Sequence, residues 1–72
     1  MENTMTGKAV EVRNPFRPGH RGYRGTVLDV QGQYAVLSGR RMLYRLDRMT
    51  VLPAGADMDN SAFLAAEAAF GK

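Results

Sequence analysis

The fold is decided by residues 26–46, which read TVLDVQGQYAVLSGRRMLYRL. Residues 26–30 and 33–38 are rich in apolar and β-branched side chains, a composition typical of strands. Between them, Gln31-Gly32 suits a tight turn, because glycine adopts positive φ without steric cost. This half of the stretch therefore predicts a β-hairpin.

The second half of the stretch predicts one more strand. Residues 38–40 (SGR) suit another tight turn, and residues 41–46 (RMLYRL) then alternate between two faces. We interpret Met42, Tyr44 and Leu46 as the face that points inward. The arginines would then project from the other face.

An earlier strand and a long loop precede the hairpin. Val10 and Val12 alternate with charged residues, which predicts a strand with one buried face, and Asn14-Pro15 ends it because proline cannot donate to a ladder. Residues 14–25 (NPFRPGHRGYRG) contain two prolines and three glycines. That composition predicts an irregular loop over the whole segment.

The chain after residue 46 completes a small sheet. Residues 47–49 predict a single helical turn, and residues 50–52 predict a short strand stopped by Pro53. Five short strands with no room for a crossover helix require an antiparallel meander, which avoids exposed edges most easily by closing into a barrel over residues 8–53. The predicted core consists of Val10, Val12, Val27, Leu28, Val30, Tyr34, Val36, Met42, Tyr44, Leu46, Met49 and Val51.

The flanks of the predicted barrel have a different character. We expect residues 1–7 to be a disordered N-terminus and residues 54–60 to be a linker. Residues 61–70 are rich in alanine and predict a helix, which at this length needs an apolar surface to persist in water. Its apolar face, which would dock on its own barrel or on a neighbouring subunit, consists of Phe63, Ala66 and Phe70.

The composition excludes most catalytic machinery. The chain has 72 residues with one histidine, His20, and no cysteine, so it has no disulfide, no thiolate zinc site, no thiol nucleophile and no histidine pair. We expect no catalytic residues, no metal and no cofactor. No stretch resembles a leader or a membrane span, and a soluble, cytoplasmic protein is expected.

The charges are distributed unevenly. Ten basic residues stand against seven acidic ones, yet residues 8–48 hold nine of the basic residues and only three of the acidic ones. Eight of the ten basic residues are arginines, whose planar guanidinium suits phosphate, carboxylate or stacked-base contacts. Asp29 and Asp47 are interpreted as charge partners of these arginines.

These residues point to a binding module rather than an enzyme. A loop that combines guanidiniums, an imidazole and an aromatic ring suits nucleic acid or a nucleoprotein complex, and an acidic protein surface would fit the same cations. The predicted nucleic-acid contacts are Arg17, His20, Arg21, Tyr23 and Arg24 in the loop, with Arg40, Arg41, Arg45 and Arg48 as a second strip. The alternative is a protein-interaction module or accessory subunit that docks through its barrel and its C-terminal helix, with Phe63, Ala66 and Phe70 as the predicted contacts.

Residues 22–30 (GYRGTVLDV) resemble the KOW motif of ribosomal and transcription-elongation proteins, in which two glycines precede Val-x-x-Val. Residues 46–51 (LDRMTV) are similar to the closing turn and final strand of such domains. The resemblance implies an SH3-like barrel that binds RNA or ribosomal and polymerase partners through loops and basic residues.

A second resemblance is to the small plasmid-encoded type II dihydrofolate reductases, which are also SH3-like barrels. It rests on YxGxV over 23–27, YAV over 34–36 and LYxLxxMxxL over 43–52. Those enzymes are tetramers that use a Val-Gln-Ile-Tyr strand around a central pore. The resemblance therefore implies that a chain this short can self-associate, with a reductase-like homotetramer as a remote alternative function. Here residues 41–44 read RMLY, and the thioether of Met42 cannot make the hydrogen bonds of the family's glutamine.

Overall fold

A computed structural model describes residues 5–70 of the chain. It contains five antiparallel strands in one sheet, in the order β4-β3-β2-β1-β5, and one C-terminal helix. The predicted mostly-β class with a short terminal helix is therefore confirmed. The elements are β1 (Ala9–Val12), β2 (Tyr23–Gln31), β3 (Tyr34–Leu37), β4 (Leu43–Arg45), a 3₁₀ turn (Leu46–Arg48), β5 (Met49–Val51) and α1 (Ser61–Phe70).

Strand β2 joins the two halves of the sheet. Its first part pairs with β1 and its second part with β3. The strand begins at Tyr23, so the prediction of an irregular loop through Gly25 was wrong by three residues. Pairing with β1 provides the reason, because Val12 lies opposite Tyr23 and Val10 opposite Gly25. A ladder partner distant in sequence overrides the local turn composition.

The β2–β3 hairpin has a two-residue turn at Gly32-Gln33, since Gln31 lies opposite Tyr34. Gly32 has φ +64°, and Gln33 does not have positive φ. Positive φ at the first central position only is the geometry of a type II′ turn, which matches the twist of the flanking strands. The predicted hairpin is confirmed, with its turn one residue later than expected.

A β-bulge in β2 changes which side chains reach the core. Val27 lies opposite Leu37, whereas Asp29 lies opposite Val36, so Leu28 is the extra residue. Leu28 is 56% exposed, and its assignment to the core was wrong.

Three further core assignments were wrong. Tyr34, Met42 and Val51 are all exposed. Met42 precedes β4, which begins at Leu43, so the predicted alternation of inward and outward side chains along the strand does not include it. Val51 lies on β5, an edge strand of the sheet, and Tyr34 is next to the turn of the hairpin.

The core lies where β1, β2 and β3 face the helix. Val10 and Val27 are among its fully buried side chains, as predicted, and Ala35 and Leu37 of β3 join them. Val30, Val36, Tyr44, Leu46 and Met49, all predicted for the core, are half-buried. Within residues 5–70, the buried apolar side chains are Val10, Val12, Tyr23, Val27, Ala35, Leu37, Phe63 and Ala66.

The sheet has two edge strands, β4 and β5. The 3₁₀ turn connects them directly, and Leu46 in this turn donates its amide to the carbonyl of Gln33 (2.9 Å). No ladder joins β4 to β5 within residues 5–70. Closure into a barrel stays a prediction.

The residues before β1 belong to the fold from Met5 onward. Gly7 donates its amide to the carbonyl of Val27 (2.8 Å), and Met5 packs against the core. Residues 5–7 therefore extend the sheet region, although a disordered segment was expected there. Residues 1–4, the rest of that expected segment, lie outside the described residues.

The side chain of Asn60 holds the segment between β5 and α1 to β2. Asn60 accepts a hydrogen bond from the Arg24 amide and donates one to the Arg24 carbonyl, both at 2.8 Å. The side-chain amide thus pairs with the Arg24 peptide as a neighbouring strand would. Asp59 accepts hydrogen bonds from the amide and hydroxyl of Ser61, which fixes the start of the helix.

The helix docks on the chain's own sheet. Phe63 is 3% exposed and belongs to the main hydrophobic core, and Ala66 is also buried. Phe70, which was expected to share this buried face, is 58% exposed at the end of the helix. The helix was expected to dock either on its own barrel or on a neighbouring subunit, and it docks on its own sheet.

Candidate functional site

The loop between β1 and β2 is ordered by Asn14, a buried polar residue. Its side-chain oxygen accepts the amides of Phe16 (2.8 Å) and Arg17 (3.0 Å), and its nitrogen donates to the carbonyl of Arg21 (3.0 Å). These three hydrogen bonds join both ends of the loop. The loop therefore presents its side chains from a fixed backbone.

Two arginines meet where this loop leaves the sheet. Arg13 follows β1 directly, and Arg48 precedes β5, its antiparallel neighbour. The Arg13 amide donates to the Arg48 carbonyl (3.1 Å). Both side chains are exposed, and neither has an acidic partner within residues 5–70.

Four of the predicted nucleic-acid contacts are instead paired with acids of the same chain. Two of the acids, Asp57 and Glu67, belong to the C-terminal segment. The described ion pairs are Arg21–Asp57 (3.2 Å), Arg24–Glu11 (2.8 Å), Arg45–Asp47 (2.8 Å) and Arg40–Glu67. The acidic flank thus folds back over the basic stretch and neutralises part of it.

Arg40 is the most deeply embedded of these cations. Its guanidinium lies over the Tyr23 ring (5.0 Å) and near the Phe63 ring (5.8 Å), a cation–π arrangement. It also donates to the Tyr44 hydroxyl (3.0 Å) and to both carboxylate oxygens of Glu67. The Arg40 hydrogen bond lowers the pKa of Glu67, and the same bond raises the pKa of Arg40. Arg40 fastens the helix to the sheet.

Tyr23 is not available for base stacking. It is 6% exposed, it stacks on Tyr44 (centroids 6.4 Å apart), and its hydroxyl donates to the Ser38 carbonyl (2.7 Å). Its prediction as a nucleic-acid contact was wrong, because β2 begins at this residue and turns the ring into the core. Arg24 is likewise half-buried, since its guanidinium pairs with Glu11 and donates to the Asp57 carbonyl.

The other predicted contacts are exposed, but they do not all lie together. Arg17 and His20 remain on the loop, where the His20 amide donates to the Arg17 carbonyl (3.0 Å). Arg45 lies beside the β2–β3 turn, in a depression that it lines with Gly32 and Gln33. Arg41 is exposed in the turn before β4. Of the second strip, Arg40 and Arg48 are the residues that reach the loop.

An apolar cleft of about 200 Å³ lies between the loop, β4 and the helix. Half-buried Phe16 and Tyr44 contribute aromatic walls, and Met42, 52% exposed, lies beside them. Arg13 and Arg48 also line it. We call this the aromatic cleft.

Two polar depressions continue from the aromatic cleft around the loop. The first shares Arg13 and Arg48 with the cleft and adds His20, together with Glu11 and Asp47, whose carboxylates pair with Arg24 and Arg45. The second shares His20 and Asn14 with the first, and adds Arg17 and Arg21 beside the helix. A continuous surface therefore runs from the aromatic cleft past the unpaired guanidiniums. We call this surface the basic face and define it by Arg13, Arg17, His20 and Arg48.

Sequence reasoning missed Arg13 and Phe16 as site residues and treated Met42 as core. Alternation with buried Val12 already indicates that Arg13 points outward. Its proximity to Arg48 depends on β1–β5 pairing, which has no local signal in the sequence. Phe16 is positioned by the turn in which the Asn14 side chain accepts its amide. The Asn14-Pro15 pair indicates a turn, but it does not indicate that the next residue lines a site.

Comparison with known proteins finds no matching family model, no matching curated protein and no matching solved structure. The chemistry of the site therefore rests on its own geometry. None of the helices within residues 5–70 is long and apolar enough to cross a membrane. In the same residues, no group of three or more histidine, cysteine, aspartate or glutamate side chains is arranged to hold a metal ion.

Proposed function

We propose that the chain is a small binding module that contacts nucleic acid, free or within a nucleoprotein complex, through the basic face. The observation that carries the proposal is the pair Arg13 and Arg48. Both guanidiniums are exposed and without acidic partners in the described chain, and both border an aromatic cleft. Cations next to aromatic walls suit a ligand that combines phosphates with planar rings.

The size of the cleft argues for a polymeric ligand. Small-molecule sites typically enclose about 300–1,000 Å³. The aromatic cleft has about 200 Å³, so it suits one ring of a larger ligand better than a whole metabolite. The adjoining polar depressions, lined by Arg17 and His20, extend the contact along such a chain.

The test is the salt dependence of binding to a short oligonucleotide, measured by fluorescence anisotropy. Removal of one phosphate contact should reduce the slope of log K against log salt by about 0.7 on single strands. We expect Arg13→Ala with Arg48→Ala to reduce the slope by about 1.4, because the double variant removes two such contacts. Arg41→Ala is the matched control, since Arg41 is also exposed but lines neither the aromatic cleft nor the two polar depressions.

Two outcomes would contradict the proposal. One is the absence of oligonucleotide binding by the unaltered chain at about 50 mM salt, where phosphate contacts are strong. The other is an Arg41→Ala effect as large as that of the double variant. Binding to an acidic protein instead, with none to oligonucleotides, would assign the same cations to carboxylates.

A further inference from the structure

We propose that the aromatic cleft takes up one unpaired base, so that the chain prefers single-stranded nucleic acid over duplex. This inference rests on the proposed function and specifies its ligand. It is carried by the juxtaposition of two aromatic walls with the guanidiniums of Arg13 and Arg48 at one small cleft.

The aromatic walls are held in place from behind. Phe16 packs against the Phe63 ring at 5.8 Å between centroids, and Tyr44 stacks on the Tyr23 ring with an angle of 9° between their planes. Phe63 and Tyr23 are themselves buried in the core. The cleft is therefore preformed, and ordering its rings adds little entropic cost on binding.

The charges around the cleft divide into two groups. Arg40 and Glu67 also line it, but they pair with each other and neutralise the inner part. Arg13 and Arg48 have no such partner within residues 5–70, and they also line the next depression. A base in the cleft would thus have its flanking phosphates beside these two guanidiniums.

The preference for single strands follows from the size of the cleft. At about 200 Å³ it suits one base and is too small for stacked base pairs. A base in a duplex would first have to leave its stack, which costs a few kcal/mol. A single strand avoids that cost, while its phosphates offer the same contacts to the basic face.

Anisotropy with three probes tests the inference without altering the protein. The probes are a short single-stranded DNA of mixed sequence, its duplex, and an all-abasic strand of equal length. At fixed salt we expect the single strand to bind roughly tenfold more tightly than the abasic strand, the effect expected for one stacked base. The duplex should also bind more weakly than the single strand.

Two variants locate the effect. Phe16→Leu keeps an apolar side chain against Phe63 but removes the aromatic wall, and Met42→Ala alters an exposed residue at the cleft. Each should weaken binding of the single strand severalfold more than it weakens binding of the abasic strand. Leu28→Ala, which truncates an exposed apolar residue at the β2 bulge, is the control and should change neither.

The possible results separate the two proposals. Equal affinities for all three probes would overturn the base-binding inference and leave phosphate binding intact. The absence of binding to every probe at about 50 mM salt would overturn the proposed function itself. If Phe16→Leu and Met42→Ala both keep the full preference for the single strand, the aromatic cleft is excluded as the base site. Loss of that preference in Leu28→Ala alone would exclude it as well.

Discussion

Truncating Phe63 tests whether the C-terminal helix is part of the core or an appendage that awaits a partner. The side chain is 3% exposed and lies near Tyr23 (5.6 Å between ring centroids), Phe16 (5.8 Å) and the Arg40 guanidinium (5.8 Å). Phe63→Ala removes the ring from all three of these neighbours. Because Phe16 and Arg40 also line the aromatic cleft, the substitution removes a support of the proposed site.

The expected destabilisation is large for a chain of this size. Replacing a buried phenylalanine by alanine typically costs about 3–5 kcal/mol, because apolar burial decreases and a cavity is left behind. At about 0.05–0.15 kcal/mol per residue, a 72-residue chain has a free energy of unfolding of roughly 4–11 kcal/mol. Phe63→Ala should therefore remove about a quarter or more of the stability, and lower the melting temperature by about 12 °C or more.

Phe70→Ala is the matched control, because Phe70 lies on the same helix and is 58% exposed. Its described ring contact is with the Arg17 guanidinium (5.6 Å), worth about 0.5–1 kcal/mol at an exposed site. Urea unfolding followed by circular dichroism measures both variants. Similar small decreases in stability for Phe63→Ala and Phe70→Ala would refute the packing of the helix on the sheet.

Two further predictions concern the contacts that fix the helix and the loop. Glu67→Gln should make the free energy of unfolding less dependent on pH in the acid range. The hydrogen bond from Arg40 holds the pKa of Glu67 in the folded chain below its ordinary 4.5. The stabilisation by the ionised carboxylate is therefore present above about pH 4.5 and is lost as the pH falls further. Urea unfolding at several pH values should show the difference from the unaltered chain shrinking toward low pH, and a constant difference would contradict this. Gly22→Ala should destabilise by about 1–3 kcal/mol, since a Cβ there would lie 1.6 Å from the Val12 carbonyl oxygen; an unchanged unfolding midpoint would contradict this close approach.

The sequence predicted the elements of the fold better than their registers. Alternation at Val10 and Val12, the glycine of the first hairpin and the alanine-rich helix are local signals, and each corresponds to an observed element. The bulge at Leu28 has no such signal, because it depends on how β2 changes partner from β1 to β3. The start of β2 at Tyr23 also depends on a distant partner, because Tyr23 pairs with Val12 of β1. This pairing places Tyr23, which was predicted to stack on bases, in the core.

The candidate site was less predictable than the fold, since its residues come from four separate segments. Composition identified a basic loop, and Arg17 and His20 are indeed exposed on it. The approach of Arg48 to Arg13 follows from β1–β5 pairing, and the aromatic cleft requires the helix to dock beside Phe16. Neither contact is encoded by spacing along the chain.

The acidic C-terminal segment determines which arginines are left to bind a ligand. In the sequence this segment only lowers the net positive charge of the chain. In the structure, Asp57 pairs with Arg21 and Glu67 pairs with Arg40. Arg40, which is paired and largely buried, must give up its carboxylate before it gains a phosphate, so the exchange yields little net free energy. Arg13 and Arg48, at the aromatic cleft, form no ion pair within residues 5–70 that would have to be broken first. The binding surface is therefore smaller than the number of arginines suggests. Its extent depends on which arginines the acidic side chains already pair with.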